Sequence, residues 1–175
     1  MVAAINQDVS DRDYRRITAF YYDEADLFDD GDYQAWLNCI TEDISYRMPV
    51  RERLDKGQQS NHGFQNGFFD DDFDSLSLRI TLWSQASTTV AESPPSITRH
   101  FVTNIRAVPA DDEPGFLVTS NVLVYRIRAT SSQPYLFSCR RHDLLRDEEG
   151  QLKLASREIK MDEPSVQSPN LSFLV

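Results

Sequence analysis

Tyr21, Asp23 and Asp26 in one helical segment, with His100 and His142 in later strand-like segments, are the side chains of this chain whose types could move a proton. A carboxylate and a histidine that meet in an apolar pocket, with a tyrosine beside them, form a general acid-base pair. A second reading stands beside it. Asp23 and Asp26 also suit the solvated face of a helix, and the histidines have charged neighbours, Arg99-His100 and Arg140-Arg141-His142-Asp143, as in ion pairs at an interface. Metal chemistry finds less support. Cys39 and Cys139 are far apart with no Cys-x-x-Cys or Cys-x-His pair, so neither a zinc ribbon nor an iron-sulfur site can be argued. His62, His100 and His142 lack His-x-x-x-His spacing, so a site of two histidines and a carboxylate would need three distant segments to converge. No Gly-x-Ser-x-Gly elbow and no glycine-rich loop ending in Lys is present, which removes the usual signals for acyl transfer and phosphate binding.

The elements that would position these residues belong to an acidic chain. It has 175 residues with 18 basic and 28 acidic side chains, a formal charge of -10, and 40% hydrophobic residues, enough for one core and one domain over 1–175. A sequence pI near 4.7 gives no positive field to attract nucleic acid or an anionic membrane. No apolar run reaches the roughly 18 to 20 residues that span a bilayer. Met1 to Ser10 shows no basic stretch leading into an apolar one, so a cytoplasmic location is expected. Residues 1–75 hold 17 acids and 7 bases, whereas residues 76–175 hold 11 of each, so the acidic excess sits in the first part. Arginine outnumbers lysine 15 to 3, which suits partly desolvated contacts between subunits; a compositional bias of the lineage would give the same count.

Local patterning predicts helices first and strands afterwards. Ser10 and Asp13 form an N-cap arrangement, Tyr14, Ile17, Tyr21, Ala25 and Phe28 follow at helical spacing, and Gly31 ends the helix. Asp32 caps a short second helix with Tyr33, Trp36, Leu37 and Ile40 on one face. Ile44, Tyr46 and Met48 then alternate as a strand, and Arg51 to Asp74 reads as a long loop with enough phenylalanine to pack on something. Leu76, Leu78, Ile80 and Leu82 alternate as a second strand, followed by strands over Thr98 to Val108, Phe116 to Ala129, Tyr135 to Leu145 and Leu152 to Met161. Phe116 to Ala129 is apolar on both faces, so one face should meet the helices and the other a second polypeptide. In the last strand the apolar positions change parity near Leu154 and Ala155, the mark of a β-bulge. The apolar ending, Asn170 to Val175, should dock somewhere. The expected class is α+β: N-terminal helices packed on a curved, mostly antiparallel sheet of about six strands, the cone of nuclear-transport-factor-2-like and cystatin-like folds. That cone hosts enzymes and interaction modules alike.

Several segments in order resemble one family. They are Leu27-Phe28-Asp29-Asp30 and Tyr46-Arg47-Met48-Pro49-Val50, Phe69-Asp70-Asp71-Asp72, the run from Ala91-Glu92-Ser93-Pro94-Pro95 to Arg99-His100-Phe101-Val102-Thr103-Asn104, and Ser120-Asn121 with Tyr125-Arg126. Arg140-Arg141-His142-Asp143-Leu144-Leu145-Arg146, Arg157-Glu158-Ile159 and the ending Asn170-Leu171-Ser172-Phe173-Leu174 complete the set. From about Tyr14 to Val175 the chain resembles the small (beta) subunit of aromatic-ring-hydroxylating dioxygenases, the Rieske non-heme iron oxygenases. Two positions depart: Val90 stands where an aromatic residue is frequent, and Ile97 where a basic one is common.

The resemblance implies a non-catalytic structural subunit with no catalytic, cofactor or metal residues of its own. It implies a large (alpha) subunit carrying the Rieske 2Fe-2S cluster and a mononuclear iron, in an alpha3beta3 hexamer with beta-beta contacts. At the level of the complex it implies a ferredoxin and an NAD(P)H-dependent reductase, and addition of O2 to an aromatic ring to give a cis-dihydrodiol. Trp83, Arg99, His100, Asn104, Arg126, Arg140 and Arg141 are the expected interface or interface-supporting positions, with an internal ion-pair network as the other reading of them. The competing function is a stand-alone lyase or isomerase that uses Tyr21, Asp26 and His100 in the pocket of the cone.

Overall fold

The computed structural model describes residues 9–50, 67–84, 96–128, 131–163 and 173–175. Helix α1 spans Asp11–Asp30, and the Ser10 hydroxyl accepts from the Asp13 N–H at 3.1 Å, which satisfies one of the free amides of the first turn. It ends at Gly31, whose φ of 73° lets its N–H turn back onto the carbonyls of Leu27 and Phe28. Asp32 caps α2, Tyr33–Trp36, by accepting from the Ala35 N–H at 3.1 Å. This second helix is a single turn, continued by a 3₁₀ turn over Leu37–Cys39 before the chain enters β1, Ile40–Pro49.

Two expectations need correction. The segment read as a long loop over Arg51 to Asp74 ends in strand β2, Gly67–Asp71, which pairs antiparallel with β1 and puts Phe69 opposite Met48 in the core; residues 51–66 lie outside the described set. The segment read as a strand over Leu76 to Trp83 is helix α3, Phe73–Ser84. Its four aliphatics alternate with polar residues, so period two and period 3.6 compete in a short window. Burial decides between them. Leu76 is 0% exposed and Ile80, one turn later, is equally hidden, whereas Leu78 is 61% exposed and Leu82 is also open to solvent. Asp72 accepts from the N–H and hydroxyl of Ser75, a helix-start signal that the alternation obscured.

The remaining strands are β3, Ile97–Pro109, β4, Gly115–Ile127, β5, Tyr135–Glu148, and β6, Gln151–Met161. They form one six-stranded sheet in the order β2-β1-β6-β5-β4-β3, antiparallel throughout except where β1 runs parallel to β6. The parity change in β6 is a bulge as expected: Leu144 faces Ser156 and Leu145 faces Leu154, so Ala155 is the extra residue. A second irregularity lies between Thr103 and Arg106, where Asn104 has a φ of 54°. Such bulges strengthen the local twist and help long strands wrap around a helix. Gly115 shows a close approach: a Cβ there would lie 2.2 Å from the Leu145 carbonyl oxygen, so β4 can start beside β5 only without a side chain.

Helix α1 lies on the inner face of this sheet. Ile17, Tyr21 and Phe28 from α1 join Trp36, Tyr46, Val118, Val122, Val124, Phe137, Ile159 and Phe173 in one core. The outer face is different. Phe101 is 53% exposed and Leu136 50% exposed, with Leu123, paired to Phe101 in the register, also open. The two-sided apolar character of β4 thus has the helix on one side, with Val118, Val122 and Val124, and solvent on the other. Among the described residues no helix is long and apolar enough to cross a membrane.

Candidate functional site

Strand parity places charge inside the cone. On β5, Arg141 and Asp143 share the inward face with Phe137, Cys139 and Leu145, and on β6 Arg157 shares it with Ala155, Ile159 and Met161. On α1, Glu24 lies one position from the apolar stripe of Ile17, Tyr21, Ala25 and Phe28 and is carried into the core with it. These four side chains meet. Arg157 donates through Nη1 and Nη2 to the two oxygens of Glu24, both at 2.9 Å. It also donates through Nε and Nη2 to the two oxygens of Asp143, at 3.0 and 2.9 Å. Arg141 donates to Glu24 Oε2 at 2.9 Å and to the Ser120 hydroxyl at 3.1 Å, and its guanidinium lies over the Tyr21 ring at 4.9 Å.

Neutral donors complete the network. The Tyr21 hydroxyl donates to Asp143 Oδ2 at 2.9 Å and the Trp36 indole N–H to Glu24 Oε1 at 3.0 Å. Two guanidinium groups thus face two carboxylates, so the interior is close to neutral despite holding four ionised side chains, and each carboxylate accepts from several donors. Arg141 Nη2 is buried with no acceptor among the described residues. Burial alone would raise the Glu24 carboxyl, but the charges of Arg157 and Arg141, with hydrogen bonds from Arg157 and Trp36, hold it below the ordinary glutamate value. Burial would lower Arg157, and Asp143 and Glu24 outweigh it, keeping the guanidinium charged. Burial pushes the Tyr21 phenol well up, with the Asp143 charge adding to it, so it is held as a donor and not as a base.

The open end of this interior is filled by Phe173, Leu174 and Val175, all buried. Val175 accepts at its main-chain oxygen from Tyr46 at 2.8 Å and from Arg157 Nη1 at 2.9 Å, and its N–H donates to the Tyr46 hydroxyl at 3.1 Å. The apolar ending therefore docks in its own protomer.

The family described as "Ring hydroxylating beta subunit" matches residues 23–168. The chain belongs to that family. Over 162 residues the beta subunit is 33% identical to the biphenyl 2,3-dioxygenase subunit beta of Rhodococcus jostii (strain RHA1), covering 90% of this chain and 86% of that one. It is 31% identical to the benzene 1,2-dioxygenase subunit beta of Pseudomonas putida over the same shares. A chain of naphthalene 1,2-dioxygenase, solved with indole in its active site, superposes with a TM-score of 0.87 at 23% identity, over 98% of this chain and 90% of that one, and shows the common fold.

The acid-base constellation expected from sequence is not brought together in the beta subunit. Asp23 and Asp26 are exposed on α1, Tyr21 is spent on Asp143, and His142 points to the outer face, where partial burial and the neighbouring Lys160 lower its ring below the ordinary histidine value. His100 is inward, but its Nδ1 lies 2.6 Å from Asp29 and its Nε2 3.0 Å from the Leu174 carbonyl oxygen. His62 lies outside the described residues. Among the described residues no group of three or more His, Cys, Asp or Glu could hold an ion, and the two interior carboxylates are neutralised by arginine. The Cys139 thiol, pushed up to about 12 by burial, offers no thiolate.

The interface candidates divide by direction. Arg99, Asn104 and Arg140 lie on the surface, Arg99 3.6 Å from Asp29 and Arg140 donating to Asn121 at 3.3 Å. Trp83 is half-buried, edge-on to the Tyr33 ring at 5.4 Å. His100, Arg126 and Arg141 turn inward, Arg126 over the Phe173 ring at 5.3 Å. Glu24, Asp143, Arg157 and Tyr46 were missed. Their signal was present as charges at core parity, Arg141 and Asp143 in register with Phe137 and Leu145, but Glu24 looked like one more acid on an acidic helix.

Proposed function

We propose that this beta subunit is a non-catalytic scaffold, one domain over 1–175, in the terminal oxygenase of a multicomponent aromatic-ring dioxygenase. The observation that carries the reading is the contrast between its two faces. The interior, where other cone-shaped proteins could house a substrate, holds a neutralised ion network and the Phe173–Val175 segment, whereas Phe101, Leu123 and Leu136 on the outer face leave a row of large apolar side chains in water. An interior of that kind supports rigidity, and an outer face of that kind supports association.

The partner is a large alpha subunit that carries the Rieske 2Fe-2S cluster and the mononuclear iron, in a cytoplasmic alpha3beta3 hexamer with beta-beta contacts. Electrons from NAD(P)H reach it through a reductase and a ferredoxin, and O2 is added to an aromatic compound to give a cis-dihydrodiol. The biphenyl and benzene dioxygenase relatives support a mono- or bicyclic aromatic substrate. Arg99, Asn104 and Arg140 contact a neighbouring subunit directly, and Trp83, His100, Arg126 and Arg141 shape the surface from beneath.

The test is co-expression with a large subunit of a ring-hydroxylating dioxygenase from the same source. The expected product is a hexamer by light scattering, with stoichiometric iron that remains with the large subunit after the two are separated. A large subunit that assembles and turns over at full rate without this chain, or iron recovered in this chain, overturns the proposal.

A further inference from the structure

Side chains, and not strand pairing, hold the segment Phe173–Val175. None of the described strand pairings includes it. Side chains from three different strands read its backbone instead. The Tyr46 hydroxyl, from β1, both donates to the main-chain oxygen of Val175 and accepts from its N–H. Arg157, from β6, adds a second donor to that oxygen. His100 Nε2, from β3, donates to the carbonyl oxygen of Leu174. Two of these readers are themselves fixed: Arg157 by Glu24 and Asp143, and His100 by Asp29, which also accepts from the His100 backbone N–H at 3.1 Å. The side chains of Phe173, Leu174 and Val175 are all seated in the core, and the Phe173 ring meets Phe137 edge-on at 5.6 Å and lies under the Arg126 guanidinium.

Preorganised donors that read the main chain, with one deep seat for an aromatic ring, are the parts of a peptide-binding site. We propose that the interior of the cone is a peptide site whose resident ligand is the chain's own Phe173–Val175, and that it accepts the same peptide supplied as a separate molecule. The chemistry it selects is an apolar peptide with phenylalanine two residues before the residue held by Tyr46. Tethering gives the resident segment an effective concentration in the millimolar range, so a free peptide gains access only when the tethered copy is weakened.

The experiment uses the full-length chain carrying Phe173→Ser, which empties the aromatic seat, and a labelled peptide of residues 170–175 read by fluorescence polarisation and by thermal unfolding. Saturable binding to the Phe173→Ser chain, a rise in its unfolding temperature, and no binding to the unsubstituted chain are expected. The peptide with alanine for phenylalanine should bind at least about tenfold more weakly. Adding Tyr46→Phe to the chain should weaken the original peptide by about tenfold. Should the Phe173→Ser chain fold poorly alone, recovery of folded protein when it is refolded with the peptide is the supporting result. Absence of saturable binding or of such recovery, equal binding of the alanine peptide, or equal binding to the unsubstituted chain overturns the proposal.

Discussion

Arg157 and Glu24 face each other through two parallel hydrogen bonds of 2.9 Å, with both side chains almost wholly excluded from water, and neither could be buried there without the other. The pair ties α1 to β6, and Asp143 carries the tie on to β5. Replacing one member leaves an unpaired charge in the core, which destabilises by about 3 to 5 kcal/mol. Arg157→Met and Glu24→Leu should each lose this much in urea unfolding, and the double replacement should lose clearly less than their sum. Additive losses would show that the two residues do not depend on each other.

The same network sets a pH dependence. Because the Glu24 carboxyl is held below its ordinary value of 4.5 in the fold, the unfolded chain binds the proton first as pH falls. Its contribution is complete above the unfolded value and is lost as pH falls through the lower folded one. Asp43, held to about 2 chiefly by hydrogen bonds from Arg146, adds a smaller, solvent-screened part in the same direction. The urea midpoint should therefore be flat from neutral pH to about 5 and decline below it. Glu24→Gln should make that decline shallower; an unchanged slope would remove Glu24 from the account.

Helix α3 makes a contrast that a strand could not. Leu76→Ala removes a fully buried side chain and should cost about 2 to 5 kcal/mol, whereas Leu78→Ala, at an exposed position, should stay within about 0.5 kcal/mol. In the alternating strand the two would lie on one face and cost alike. Similar losses at both sites in chemical denaturation would argue for the strand.

On the outer face, Leu123→Glu places a charge among Phe101 and Leu136 without touching the core. The isolated chain should keep its unfolding midpoint to within about 0.5 kcal/mol. Co-expressed with the large subunit, it should give much less assembled complex by size-exclusion chromatography. Full assembly with the glutamate in place would mean that this face stays in water.

The helix at the start was legible because its signals are local: Ser10 caps it, Gly31 ends it, and the stripe from Ile17 to Phe28 has one period only. The bulge at Ala155 was legible for the same reason, since a parity change in one strand is written in that strand. Strand β2 and helix α3 were not. Phe69 joins the core only by pairing with β1, and the aliphatics from Leu76 to Leu82 satisfy two periods until burial selects one. Glu24 sits three residues after Tyr21 and four before Phe28, so the helical period carries it inward, but a carboxylate there has no visible reason to be buried until Arg141 and Arg157 are brought opposite it.

The sequence by itself determined an acidic α+β chain with helices before strands, and its ordered motifs pointed to the beta-subunit family that the comparisons then established. Only the tertiary structure decided that Glu24, Arg141, Asp143 and Arg157 neutralise one another and that Phe173–Val175 fills the space beside them. The physical reason is that a buried charge is tolerable only opposite its partner. These partners come from a helix and two strands whose approach is fixed by the packing of α1 on the inner face of the whole sheet, not by any local pattern.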